Sequence, residues 1–404
     1  MDPRARLAAD VRAYGDDLVA LSHAVHADAE TAFEEHKSSR RVADALASGG
    51  FDVDFGVCDL DTAFVATAGG GPLRIGICAE YDALPDIGHA CGHNVIAAAA
   101  VGAGLALAGI ADDLGIEVRV LGTPAEEGGG GKVIMLGGRA FDGLHAAMMV
   151  HPAPEESTTF PCLAVRHLDV TFEGRSSHAS GYPELGVNAA DALTVAQVAI
   201  GLLRQHIRRT DRVHGIVTAG GEAPNIVPEH TAGSWYVRAA TLAELEEVYP
   251  KVHRCFEAGA IATGAELTVH ESGPAYSEFR HDERLAQLYT AEAEAIGRTF
   301  PPGDDRVLVG STDMANVSLV MPAIHPMLGV DAAGAVNHQP AFTAACAGGS
   351  ADRAVRDGAL AMARTVVAAV EDVATRDRLL ARSYASAVAD ASTPPAPEGS
   401  SSSG

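Results

Sequence analysis

The segment Leu73-Arg74-Ile75-Gly76-Ile77-Cys78, running into Ala79-Glu80-Tyr81-Asp82-Ala83-Leu84-Pro85, decides the fold class of this chain. It is a short apolar run behind the turn sequence Gly69-Gly70-Gly71-Pro72, so 73–78 reads as a strand with acidic side chains just past its C-terminal end. Residues 95–108 follow as an Ala-rich helix buried on most faces. Residues 117–122 form the next strand, which delivers Glu126 and Glu127 just beyond its end. Strand, helix, strand with polar groups past the carboxyl ends is the parallel α/β arrangement, in which ligand sites lie at those ends. Upstream, helices are expected over 4–27 and 34–48, the second closed by Gly49-Gly50, and a further strand over 62–68.

The middle of the chain has a different rhythm. A strand at 163–172, a helix at 187–208, strands at 214–219 and 231–239, a helix at 242–263 and a strand at 267–271 give β-α-β-β-α-β, the ferredoxin-like split unit. It reads as a self-contained insertion. The α/β pattern then returns, with a helix at 282–296, a polar loop at 301–305, a helix near 313–320, a strand at 324–328 and a long helix at 349–370. The expected organisation is a catalytic domain over 1–162 and 277–390, an inserted lid and dimerisation domain over 163–276, and a Pro/Ser/Gly-rich disordered tail over 391–404.

Composition narrows the function. A chain of 404 residues is too long for one ordinary core, and 47% hydrophobic with 20% charged residues is a globular composition. The net charge of −24 argues against nucleic acid as a partner, because phosphate binding needs clustered Lys and Arg. The N-terminus lacks the continuous apolar segment of a signal peptide, and the longest apolar run, 95–110, is too short to span a bilayer. Six cysteines (58, 78, 91, 162, 255, 346) without framework spacing point to reduced thiols and a cytoplasmic location.

Chemistry concentrates in Gly88-His89-Ala90-Cys91-Gly92-His93-Asn94 and Thr123-Pro124-Ala125-Glu126-Glu127-Gly128. Cys and neutral His are ligands that Zn²⁺ accepts, and a carboxylate completes such sites. One glutamate can bind metal while its neighbour takes a proton from an activated water. Taken alone, Cys91-x-His93 reads first as a buried thiol beside a capping histidine; the nearby Glu126-Glu127 pair reverses that in favour of ligands. The helix that opens at Asn94 is expected to help ionise the thiol. His151, at the end of the apolar run 146–150, and His338, in Val336-Asn337-His338-Gln339-Pro340, read on their own first as hydrogen-bonded structural histidines, and His89 is expected to support rather than ligate. Gly128-Gly129-Gly130-Gly131-Lys132 is not a phosphate loop, because Glu126 stands where its first Gly belongs and Val133 follows the Lys. The glycines are read as letting the backbone pass close to a metal site.

The segments CAEYDALPDIGHACGHN, GTPAEEGGGGK, MMVHPAP, FEGRSSHAS, APNIVPEHTAGSWYVR, GSTDMANVS and NHQPAF resemble the metallopeptidase family of aminoacylases, glutamate carboxypeptidases and dipeptidases. Within it they look most like the branch of p-aminobenzoyl-glutamate hydrolase and the β-alanyl-lysine dipeptidase type, over about residues 20–370. The resemblance implies a zinc-peptidase-like α/β catalytic domain, a dinuclear centre held by Cys91, His93, Glu127, His151 and His338, and a bridging Cys91 thiolate. It implies Glu126 as general base, Asp82 as a carboxylate supporting the metal site, and His178 as an oxyanion donor reaching the active site of a partner protomer. Asn225 and Arg238 match substrate-binding residues, and Arg is suited to a carboxylate by its planar fork. Ser311, Thr312 and Asp313 match a loop lining the pocket. Glu80 departs from relatives that place a liganding His there. The implied cofactors are two divalent ions, Zn²⁺ first, with Mn²⁺, Co²⁺ or Ni²⁺ as alternatives. The implied reaction is hydrolysis of a small dipeptide or N-acyl amino acid by a homodimer, with p-aminobenzoyl-glutamate as an alternative substrate. A deaminase stays open as another class but is disfavoured by the absence of H-x-E with P-C-x-x-C. A non-catalytic metal-binding protein is disfavoured by retention of both Glu126 and Glu127, since a structural site needs no free base.

Overall fold

The computed structural model describes residues 2–301 and 310–381, so the expected tail and most of the 301–305 loop lie outside the described residues. The first part of the chain comprises α1 (Pro3–Asp28), α2 (His36–Ser48), β1 (Asp52–Phe55), β2 (Phe64–Gly69), β3 (Leu73–Ala79), α3 (His93–Ala108), the one-turn α4 (Ala111–Leu114), β4 (Ile116–Gly122), α5 (Gly131–Gly137), β5 (Ala146–Met148) and β6 (His151–Ala153). The insertion comprises β7 (Ala164–Glu173), α6 (Ala189–Leu203), β8 (Arg212–Ala219), β9 (His230–Ala239), α7 (Leu242–Thr263) and β10 (Glu266–Glu271). The chain closes with α8 (Glu283–Ala295), α9 (Met314–Val320), β11 (Ala323–Ile324), β12 (Met327–Gly329), α10 (Pro340–Ala345), α11 (Gly349–Glu371) and α12 (Val373–Leu380).

The central sheet runs β1-β2-β4-β3-β5-β11. β4, β3, β5 and β11 are mutually parallel, while β2 and β1 form an antiparallel edge. The glycine run after β2 therefore makes no hairpin, because β4 lies between β2 and β3. Gly71 permits the crossing: a Cβ there would sit 2.0 Å from the Gly115 carbonyl carbon. On one face α3 is almost wholly enclosed, with only Leu105 and Ala108 less than buried. Its glycines seat it: Gly102 meets Leu18 of α1 and Ala359 of α11, and Gly104 meets Val120 of β4. A helix with no polar face has to be core, as its Ala-rich sequence predicts.

The expected strands over 146–150 and 324–328 each break in two. β5 pairs with β11 and, past the break, β6 pairs with β12 in a separate two-stranded ribbon. Pro152 and Pro326 have no N–H to continue the ladder. The Pro326 carbonyl instead accepts the N–H of His151 at 2.9 Å.

The insertion has the predicted order, and its antiparallel sheet runs β10-β7-β9-β8. α6 stops at Leu203, short of the expected 208, where a single 3₁₀ turn leads into a loop closed by Asp211 accepting the Arg208 N–H. α6 and α7 cover one sheet face and enclose a cluster of their own that includes Phe172, Ile200, Trp235, Val237, Val252 and Phe256. The two helices approach so closely that a Cβ on Gly259 would lie 2.2 Å from the Ala192 carbonyl oxygen. No helix among the described residues is long and apolar enough to cross a membrane. Gly259→Val is expected to force α6 and α7 apart and cost about 1–3 kcal/mol of stability, as overpacking does, read as a lowered urea midpoint; an unchanged midpoint would refute this packing.

Candidate metal centre

The carboxyl ends of the parallel strands converge on one point. β3 leads directly into Glu80 and Asp82, β4 into the turn carrying Glu126 and Glu127, and β6 begins with His151. Cys91 and His93 flank Gly92, which lies in the left-handed region at φ 78° just before α3 begins at His93. His338, itself at φ 66°, is fixed by its N–H donating to the Ala90 carbonyl at 3.0 Å. Among the described residues, three groups bring ligand atoms within 4.8 Å of one another: Cys91, His93 and His151; Cys91, Glu127 and His338; and Glu80, His93 and Glu126. All five expected ligands thus meet, with Cys91 common to two groups.

One carboxylate orders two of them. Asp82 Oδ1 is 3.0 Å from His93 Nδ1, and its Oδ2 accepts the Glu127 N–H at 3.0 Å. In the neutral ring this contact leaves Nε2 as the nitrogen with the lone pair; that atom is buried and has no hydrogen-bond partner. His151 Nδ1 is likewise occupied, 2.8 Å from the Pro152 carbonyl. His338 Nε2 lies 3.0 Å from Cys91 Sγ. Ring nitrogens anchored on the far side leave the near nitrogen basic toward a metal.

The charge balance fits a cation. Burial pushes the Glu126 carboxyl up, and the Glu80 and Glu127 carboxylates push it further. Burial raises Cys91 too, reinforced by Glu127 and Glu126. The expectation that the α3 N-terminus would ionise this thiol is corrected accordingly: burial and two carboxylates outweigh a helix end, and a bound cation is what favours the thiolate. A thiol, imidazoles and carboxylates are a donor set that borderline divalent ions accept.

Glu80, the departure from the family pattern, is fully buried with Oε1 accepting from Lys132 Nζ at 2.6 Å and Oε2 3.5 Å from His93 Nε2. Lys132 also reaches Asp313 at 2.7 Å. Asp313 therefore sits behind the pocket wall and does not line it, unlike Ser311 and Thr312. The glycine run also differs from expectation. Its close approaches are to Pro124, Phe33 and Pro274, with a Gly131 Cβ only 1.9 Å from the Pro124 oxygen. The glycines fold the turn onto itself; none is needed for the backbone to reach the metal groups. His89 bonds the Val25 carbonyl at 3.0 Å and joins none of the three groups.

A cavity of about 640 Å³ opens on this centre, lined by Cys91, Glu126, Glu127, His151 and His338 and by Arg238 on the opposite wall. Arg238 Nη1 donates to Ser311 Oγ at 2.6 Å. His178 and Asn225 do not line it. They meet each other on the exposed side of the insertion, where the Ala179 N–H donates to the Asn225 carbonyl at 3.0 Å. Arg209, Arg212 and His325 line the cavity and were missed by sequence reasoning. For His325 a signal existed: Ile324-His325-Pro326 repeats Val150-His151-Pro152 at the end of the neighbouring strand. Nothing in the sequence of the α6–β8 loop or the start of β8 marks Arg209 or Arg212. Glu35 was missed as well. Wholly buried, it accepts the Ala125 N–H at 2.8 Å and the Thr62 hydroxyl at 2.9 Å, holding the strained turn (Ala125 φ 58°) that carries Glu126.

A family model described as peptidase family M20/M25/M40 matches residues 76–367. The chain belongs to this family. It is 38% identical over 372 residues to the Xaa-Arg dipeptidase of Mus musculus, covering 87% of this chain and 85% of that one. It is 34% identical over 255 residues to one of the two subunits of the p-aminobenzoyl-glutamate hydrolase of Escherichia coli, covering 58% and 53%. The fold is similar to that of a dinuclear metal binding peptidase from Bacillus subtilis, at TM-score 0.64 and 20% identity over 88% of this chain and 99% of that one. It is also similar to an aminobenzoyl-glutamate utilization protein from Klebsiella pneumoniae, at TM-score 0.67 and 19% identity over 86% and 96%. As a member of the M20 family, the protein is a metal-dependent hydrolase of peptide or linear amide bonds. Lys132→Met would strand the buried Glu80 and Asp313 carboxylates, and a loss of about 3–5 kcal/mol is expected, as for other broken buried pairs. Urea unfolding of the metal-loaded protein measures it, and a loss below about 1 kcal/mol would show that the cluster is not a buried ion triad.

Proposed function

We propose that this protein hydrolyses small dipeptides or N-acyl amino acids with two divalent ions held by Cys91, His93, Glu127, His151 and His338. The observation that carries the reading is the shared position of Cys91 between the His93–His151 and Glu127–His338 groups, which is what a bridging thiolate requires. A thiolate favours Zn²⁺, with Mn²⁺, Co²⁺ or Ni²⁺ as alternatives. When bound, such ions polarise the scissile carbonyl and acidify a water. Glu126, facing the cavity, accepts that water's proton and returns it to the departing nitrogen. Asp82 keeps His93 and the Glu127 backbone in place. Arg238 holds the substrate carboxylate, its planar fork suited to two oxygens.

His178 and Asn225 serve the other protomer's cavity in a homodimer. In support, His178 Nδ1 accepts the Gly181 N–H at 3.1 Å, which leaves the proton on Nε2, free to donate to an oxygen gaining charge. The surface of the insertion is also apolar where it should be covered: Val198, Leu202 and Ile216 are 58%, 70% and 66% exposed, and β8 is one of the two edges of its sheet. We take 163–276 as the lid and dimerisation domain within a catalytic domain of 1–162 and 277–390; the bridge between Val165 and Tyr276 ties its two ends together. Six free cysteines are in keeping with a cytoplasmic setting.

A second substrate reading has its own observation. Arg209 and Arg212 share the cavity with Arg238, which favours an acidic leaving residue such as the glutamate of p-aminobenzoyl-glutamate. Amine release from a panel of dipeptides, N-acyl amino acids and p-aminobenzoyl-glutamate, using metal-free enzyme reloaded with Zn²⁺ or Mn²⁺, decides between them. Two bound metals with silence across the panel would overturn both. Glu126→Gln is expected to lower kcat about 10²- to 10⁴-fold with metal content unchanged; surviving activity would remove Glu126 as the base. Mixing inactive Glu126→Ala and His178→Ala homodimers is expected to restore roughly a quarter of wild-type sites, since half the dimers are mixed and each carries one intact site. No recovery after exchange of protomers would place His178 in the site of its own chain.

A further inference from the structure

We propose that His214 is a positioning residue that aims the Arg238 guanidinium at the substrate carboxylate, and that it does so only as the neutral imidazole. The inference rests on the reading of Arg238 given above. Arg238 and His214 lie on adjacent antiparallel strands, β9 and β8, where Arg238 pairs with Arg212 and His214 with Tyr236. His214 is thus the diagonal neighbour of Arg238, within reach of a long side chain.

The guanidinium has five N–H donors in a rigid fork and no acceptor. Its Nε–H donates to His214 Nε2 at 3.2 Å, and Nη1 donates to Ser311 Oγ at 2.6 Å. Three donors remain, and Arg238 lines the cavity. No carboxylate among the described residues lies within ion-pair distance of Arg238, and burial holds its pKa below the ordinary arginine value. A half-buried guanidinium without an anionic partner is held by neutral groups: the Ser311 hydroxyl, the Tyr236 ring, whose centroid lies 5.6 Å from Cζ, and His214, which takes the Nε–H. With Nε2 accepting, the imidazole proton sits on Nδ1.

Protonation cancels this role. A proton on Nε2 removes the acceptor and sets a second cation against the guanidinium. The charged and titratable groups facing His214 among the described residues are Arg238 and Tyr236 on β9, His167 on β7 beyond Tyr236, and Arg212 two residues along its own strand. No carboxylate stands among them to stabilise imidazolium. Burial and Arg238 accordingly hold the His214 pKa below the usual imidazole value, so the neutral form prevails at neutral pH. Carboxylate binding is therefore complete above that value and weakens as the pH falls through it.

The test uses the metal-loaded enzyme and the substrate turned over fastest in the panel above. His214→Ala is expected to raise KM roughly tenfold, the effect of losing one charge-assisted hydrogen bond, with kcat and bound metal unchanged. His214→Gln, which offers a non-titrating acceptor, is expected to restore KM and to abolish the rise in KM at acid pH seen in the wild type. Arg238→Ala separates the two readings. If it raises KM and His214→Ala does not, or if His214→Gln keeps the wild-type acid rise, the assignment of His214 is overturned. If Arg238→Ala leaves KM unchanged, the role of Arg238 falls, and that of His214 with it.

Discussion

Buried like charge is the constraint around which this molecule is organised. Glu80, Asp82, Glu126 and Asp313 are all buried at the carboxyl ends of the central strands or directly behind them, with Glu127 partly so. Carboxylates this close cannot all ionise in a low-dielectric interior without cations. Lys132 supplies one from inside the protein. It is fully buried, bonded to Glu80 and Asp313, and its backbone N–H donates to Asp313 at 2.8 Å. That single residue ties the end of β3 to the starts of α5 and α9. The remaining negative charge, together with the Cys91 thiol, faces the cavity side, where divalent ions would complete the balance.

The turn bearing Glu126 and Glu127 is held through its backbone from three directions. The Ala125 N–H donates to Glu35 at the start of α2, the Glu126 carbonyl accepts from the Tyr276 hydroxyl at 2.7 Å, and the Glu127 N–H donates to Asp82 after β3. Three elements distant in sequence thus fix three consecutive residues of the turn. Ala125 adopts a left-handed conformation to make this possible, a strain that persists only where the surroundings over-determine it. Glu35 also explains the Thr62 side chain, whose carbonyl in turn takes the Tyr81 hydroxyl.

The insertion faces two ways. Its β8 and β9 bring Arg212 and Arg238 into the cavity lining, with His214 bonded to Arg238. Away from it, α6 and the outer part of β8 carry exposed apolar side chains, and His178 and Asn225 sit on loops between 174 and 227. The cavity is lined on one side by carboxylates, imidazoles and the Cys91 thiol and also by three arginines, Arg209, Arg212 and Arg238. Tyr276, on the segment returning from the insertion, bonds the Glu126 carbonyl, so that segment is tied directly to the turn after β4.

Much of this was legible in the sequence for local reasons. Period and length gave the buried Ala-rich α3, the β-α-β-β-α-β order of the insertion and the long α11, because each follows from residue spacing within one element. The motif spacings placed Cys91, His93, Glu126 and Glu127 together, since strand ends in a parallel sheet are neighbours by construction. Other features depended on the tertiary structure. That Lys132 neutralises Glu80 and Asp313, that Glu35 holds Ala125, and that Arg209, Arg212 and His325 reach the cavity are pairings across long sequence separations, and no periodicity encodes which distant side chain a buried group will meet. The helix end that should have ionised Cys91 was a local inference overruled by burial, because desolvation is a property of everything packed around a group and not of its neighbours in the chain.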